Sequence, residues 1–295
     1  MKGNAKTLPC HVTEVSTEMR FAQTLRPVVM TLAAMALTAV QAVAADRDKV
    51  EAFLTVTGFD VALESIKLSA EDAPRMLGLQ AEDFGAAWTL MSSDVFDVED
   101  MQEDATRILE QTLSDEALAH AADFYASDLG QRLVEAENES HLRDREEKRE
   151  EGGRLLAQMT TEDDPRLDVL ERMLDAIGSE EQSLRAANEL EVRFLMAAQE
   201  AGVIRLRVDE EGLRAAQAEQ AEETMQSMRL SGLASSAATY KSFTDEELVE
   251  YTEALEHPLM QEVYELMNAV QFEIMADRFE LVAEKLAEIN PGQEL

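Results

Sequence analysis

The chain has 295 residues, 61 of them acidic and 26 basic, giving a net charge of −35. A field of that sign repels phosphate backbones and anionic lipid head groups, which argues against nucleic-acid binding and strong membrane-surface binding. Hydrophobic residues make up 45%, enough for a core, and the lone cysteine, Cys10, excludes an internal disulfide framework.

Residues 1–45 read as a leader, with an export signal from Met19 to Ala45. Arg20 and Arg26 supply a basic start, Val28 to Val40 carry no charge, and Ala42-Val43-Ala44-Ala45 offers the small residues that signal peptidase needs. Glu14 and Glu18 fit a signal start poorly, which makes Met19 the expected initiator. Cleavage near Ala44 or Ala45 would deliver a periplasmic chain beginning near Asp46. The competing reading is an inner-membrane anchor, because nothing charged lies between Arg26 and Asp46. That run is short for a bilayer core and is built from Ala, Thr and Met rather than Leu and Ile. Cleavage would remove Lys2, Lys6, Arg20, Arg26, Glu14 and Glu18, leaving 22 basic against 59 acidic residues and no cysteine.

Beyond the leader the apolar residues recur at helical spacing, and the fold class expected is all-α. Val50, Phe53, Leu54 and Thr57 precede Gly58, a C-cap candidate, and Val61, Ile66 and Leu68 fall on a second helix. Phe84, Trp88 and Met91 form a third group, with Trp88 and Phe84 as expected core anchors. Met101, Ala105, Ile108 and Leu109 follow. Leu129, Leu133 and Val134 begin a stripe that fades from Glu137 into a charged run, read as an exposed helix held by pairs such as Asp144 and Lys148. Later come Leu170, Met173, Leu174 and Ile177, then Leu190, Phe194, Leu195 and Ala198. Val203 to Val208 alternates like a strand but lacks a pairing partner, so it reads as an extended connector. The longest stripe is Met260, Val263, Met267, Val270, Ile274, Leu281 and Val282, on a helix ending near Ile289 before Asn290-Pro291-Gly292.

Two segments share one design at a constant offset of 130 residues. Leu113-Ser114-Asp115-Glu116-Ala117-Leu118 matches Phe243-Thr244-Asp245-Glu246-Glu247-Leu248, and Ser127-Asp128-Leu129-Gly130-Gln131 matches His257-Pro258-Leu259-Met260-Gln261. Ser114 and Thr244 are N-cap residues, and Thr244 with Glu247 has capping-box spacing. Ser127 and Pro258 each suit the start of a new helix. Each copy therefore reads as a short helix, a tight corner and a long helix. The expected organisation is a first unit over 46–150, a junction over 151–164, and a second, diverged unit over 165–290, in the manner of a tandem duplication.

The first copy, with Phe124, Tyr125, Ser127, Gly130 and Gln131 at its corner, resembles DUF2059, a family of exported bacterial helical domains of unknown function. The family pattern is an acidic-capped helix followed by an aromatic-rich F-x-S-P-x-G-Q corner. Here Asp128 stands in the proline position. The second copy has His257, Pro258 and Gln261, but Ala254, Leu255 and Met260 replace the aromatic pair and the glycine. The resemblance implies export and helical architecture and no activity.

Catalytic signatures are missing. No Glu-x-x-His pair, His-Glu-x-x-His, phosphate-binding loop, nucleophile elbow or calcium loop occurs. Glu116, His120 and Asp123 share a helical face and are the weak metal candidates; a solvated polar face has the same spacing. Carboxylate pairs such as Glu222-Glu223 and Glu246-Glu247 carry little information in so acidic a chain. Met225 with Met228, and Met260 with Met267, line helical stripes that read as core. Two functions follow as expectations. One is a non-enzymatic protein-binding, scaffold or chaperone-like module of the cell envelope, without a cofactor. The other is a carboxylate-based envelope hydrolase or a metal-binding protein.

Overall fold

Pro258 opens the longest helix among the described residues because a proline at the first turn gives up only an N–H that would be unpaired there anyway. The structure is a computed structural model and describes residues 46–70, 72–78 and 86–289. Within them the chain forms helices α1 (Arg47–Val56), α2 (Phe59–Ile66), α3 (Asp72–Met76), α4 (Ala86–Val95), α5 (Val98–Thr112), α6 (Asp115–Tyr125) and α7 (Asp128–Leu142), with a 3-10 turn at Lys67–Ser69. They continue as α8 (Arg145–Glu162), α9 (Arg166–Ile177), α10 (Glu180–Glu200), α11 (Glu210–Thr239), α12 (Asp245–Leu255) and α13 (Pro258–Ile289). No strand occurs among the described residues, so the class is all-α. The leader and Phe84 lie outside them.

Short polar side chains start these helices. Asp46, Asp97, Ser114, Ser127, Asp144, Ser179, Asp209 and Thr244 each accept a hydrogen bond from a first-turn N–H. Thr244 and Glu247 close the expected capping box. Gly58 sits at φ 71° between α1 and α2, where a side chain would also strike Asn138 and Val134. Residues 203–208 are the expected non-helical connector.

The 32 residues of α13 span about 48 Å. Along this axis pack α2, α4, α5, α6, α9, α10 and α12. One connected core joins residues from both halves, Leu63, Leu109 and Leu133 with Leu170, Phe194, Leu248 and Val263, and the described residues belong to one compact unit. The stretch 151–164 is mostly α8, which lies against α11.

Four readings change. Leu281, expected on the apolar stripe of α13, is 37% exposed. Past Ile274 the buried face rotates to Arg278, Phe279, Val282 and Leu286, because the neighbours there include Phe96, Asp104 of α5 and Phe194 of α10. The charged run after Glu137 is not one exposed helix. It breaks at Arg143, and Asp144 caps α8 through the Glu147 N–H. Leu68, expected on the second helix, falls just past its end in the 3-10 turn and is exposed. Of the paired methionines, Met260 and Met267 are buried, whereas Met225 and Met228 are only partly so.

Candidate functional site

The stripe begun by Leu129 and Leu133 continues at the same spacing into Glu137 and Ser140, so α7 carries polar side chains on its inward face. Ser140 is buried, and Glu137 is accessible only in part, on the wall of a cavity of about 300 Å³. All four tyrosines of the chain gather there: Tyr125 from α6, Tyr240 after α11, Tyr251 from α12 and Tyr264 from α13.

Tyr240 and Tyr251 donate their hydroxyls to the same oxygen, Glu137 Oε1, at 2.7 and 2.8 Å. The hydroxyls of Tyr125, Tyr251 and Tyr264 form a triangle with edges of 3.1, 2.5 and 3.0 Å. Rings hold this geometry: Phe124 stacks on Tyr251 at 5.8 Å, and Tyr240 and Tyr125 meet Tyr251 at steep angles. Burial pushes the Tyr125, Tyr240 and Tyr251 hydroxyls well above their usual range, so they remain protonated donors. Burial also raises the Glu137 carboxyl, while the hydrogen bonds from Tyr240 and Tyr251 pull it the other way. The arrangement can hold a carboxyl group rigidly in either protonation state, because Oε1 serves only as acceptor.

Lys148 reaches the same cavity from α8. Its ammonium donates to Ser140 O at 3.1 Å and Ser140 Oγ at 3.3 Å, and Ser140 Oγ bonds Thr239 Oγ1 at 2.7 Å. Burial pushes the Lys148 amine down, with Arg143 and Arg145 adding to the effect. Two further hollows border the cavity along α13. One of about 350 Å³ shares Leu174, Ile177, Gly232, Asn268 and Gln271 with it. The other, of about 770 Å³, lies between α9, α10 and α13. Asn268, which donates to Ile177 O at 2.8 Å, lines all three.

The two corners meet reciprocally. Ser114, the cap of α6, donates to Glu262 of α13 at 3.1 Å, and Arg132 of α7 donates to Glu247 at the cap of α12 at 2.6 Å. His120 stacks on His257, with ring centres 4.0 Å apart. Gln131 donates to Ala126 O, Ser127 accepts from Gly130 N–H, and His257 Nδ1 accepts from Leu259 N–H. Gly130 permits α7 to press on Phe124 and Tyr125, a closeness that Met260 cannot reproduce in the second corner. Gln261 follows Pro258 on α13 and lines the largest hollow.

Glu116 and Asp123 are exposed on α6 on either side of His120. Among the described residues no three His, Cys, Asp or Glu side chains are grouped so that they could hold a metal ion. Glu247 is engaged in a cap, and Glu222 and Glu223 face solvent. Sequence pattern alone does not single out Glu137, Lys148, Tyr240, Tyr251 or Tyr264 as site residues.

Residues 99–158 match the DUF2059 family. Its description is an uncharacterized protein conserved in bacteria. The DUF2059 segment runs from α5 through most of α8 and supplies Tyr125, Glu137, Ser140 and Lys148 to the cavity; Tyr240, Tyr251 and Tyr264 come from outside it. No curated protein and no solved structure matches the chain. Among the described residues no helix is long and apolar enough to cross a membrane.

Proposed function

We propose that this chain is a non-enzymatic binding module of the bacterial cell envelope, delivered by its leader, that receives an extended basic segment of another protein alongside α13. The observation that carries this reading is the 770 Å³ hollow. Its floor is apolar, with Ala176, Ala186, Leu190, Ala269 and Phe272, and its rim bears Asp175, Glu181, Glu189 and Glu265. Two cations, Arg185 and Arg193, also line it, and Arg193 is engaged by Glu273, Asp277 and Glu280. Asp175 and Glu189 pair with Arg229 and Arg214, which leaves Glu181 and Glu265 as the open carboxylates beside Arg185. An apolar floor with an acidic rim complements a segment that alternates apolar and cationic side chains. The reciprocal corners support an origin by duplication of a corner unit.

The hydrolase reading rests on Glu137, whose raised pKa suits a general acid. It is weakened because Glu137 is the only carboxylate among the residues lining its cavity, and paired-carboxylate hydrolysis needs two. The binding reading is tested by fluorescence anisotropy with labelled leucine–lysine and leucine–glutamate peptides. The cationic peptide should bind, and Ala269→Trp, which fills the floor, should weaken it ten-fold or more. Equal binding of both peptides, or of both proteins, would refute the assignment.

A further inference from the structure

The cavity around Glu137 presents two charged groups with unused bonding capacity. Oε1 of Glu137 is occupied by Tyr240 and Tyr251, whereas Oε2 accepts from no described residue and is not sealed from the cavity. Lys148 has three N–H donors, and its acceptors among the described residues both belong to Ser140. Glu137 and Lys148 line the same space without forming an ion pair with each other. A partly buried charge that is incompletely paired is costly, and two of opposite sign on one wall complement a molecule carrying both signs. The rest of the wall is mixed: Phe59, Leu174, Ile177 and Met267 form an apolar part, and His141 near Lys148, Asn138, Thr239, Asn268 and Gln271 are among its polar side chains. A volume of about 300 Å³ lies at the small end of ligand pockets.

We propose that this cavity binds a free α-amino acid with an apolar side chain. The ligand ammonium meets Glu137 Oε2 beside the tyrosine rings, where cations are favoured. The ligand carboxylate meets the Lys148 ammonium, and the side chain lies against Phe59, Leu174, Ile177 and Met267. A plain amine would leave Lys148 without its partner, and a plain carboxylate would leave Glu137 without its own. This site is distinct from the hollow assigned to a protein segment, and its ligand is of another class, so the two assignments stand or fall separately.

Leucine, methionine and phenylalanine are each titrated into the full chain by isothermal titration calorimetry. At least one should bind saturably, with its N-acetyl and amide forms ten-fold or more weaker, since each removes one charge. Glu137→Gln, which keeps an acceptor for the tyrosines, and Lys148→Met should each weaken binding at least ten-fold, while Ala269→Trp should leave it unchanged. Absence of saturable binding for all three, equal binding of the capped forms, or butylammonium binding as tightly as leucine would each overturn the assignment. Should either cavity variant fail to fold, the capped forms still decide the matter on the unaltered protein.

Discussion

A Cβ atom on Gly152 would fall inside the carbonyl of Ala234, so the α8–α11 crossing exists at its observed distance only with glycine on α8. The adjacent Gly153 has open space at the same position. Gly152→Ala is expected to destabilise the protein by about 1–3 kcal/mol, the typical cost of overpacking. Gly153→Ala, at an exposed helical position, should stabilise it by about 0.5–1 kcal/mol through reduced backbone entropy. Urea unfolding midpoints of the two variants should move in opposite directions.

Tyr251 is the node of the hydroxyl network, touching Glu137, Tyr125 and Tyr264. Tyr251→Phe keeps the ring that Phe124 stacks on but removes the hydroxyl. The expected loss is about 1–3 kcal/mol, the cost of leaving buried partners unsatisfied. Tyr264→Phe leaves both donors to Glu137 in place and should cost less. A Tyr264→Phe variant as unstable as Tyr251→Phe would remove Glu137 from the account.

Glu137 and Glu151 make opposite predictions with pH. The Glu137 carboxyl is raised by burial, so the folded state holds its proton more tightly than the unfolded chain. Its contribution is complete below the ordinary 4.5 and is lost as pH rises through the raised value. Relative to the parent, Glu137→Gln should therefore gain stability as pH increases above 4.5. Glu151 is lowered to about 2 by hydrogen bonds from Lys241 and Arg143. Its contribution is present above 4.5 and is lost as pH falls toward about 2. Thermal midpoints of Glu137→Gln, Glu151→Gln and parent across pH 3 to 8 should show the two differences changing in opposite senses.

On α13, Leu286 is 1% exposed and Leu281 37%. Leu286→Ala should cost about 2–5 kcal/mol as a core truncation. Leu281→Ala should cost well under that. Comparable losses would mean that the buried face follows the unrotated stripe, with Leu281 inside.

Local signals made the helices and corners readable. Thr244 with Glu247, Ser127 before Asp128, and Pro258 after His257 are short-range chemistry, and the structure places caps at the expected residues. What failed depended on partners distant in sequence. Glu137 reads as solvent-facing in a charged run, yet Tyr240 and Tyr251 donate to it from about a hundred residues downstream, and Tyr264 joins through Tyr251. One signal was available: Leu129, Leu133, Glu137 and Ser140 keep a single inward period across the change from apolar to polar. By spacing Asp144 suits a pair with Lys148, but pairing and capping compete for the same aspartate, and capping prevails where Arg143 turns extended. Leu281 lost its place because the neighbours of α13 change along its length.

The position of α13 in chain order has a kinetic meaning. Ribosomal synthesis releases α1 to α12 before the helix against which most of them pack. Until it arrives, Leu63 of α2 and Leu248 of α12 have incomplete surroundings, and the DUF2059 segment exposes the side of α6 that α13 will cover. Long-range closure of this kind postpones cooperative folding until the emergence of α13 and makes nascent or truncated forms clients for holding chaperones and proteases.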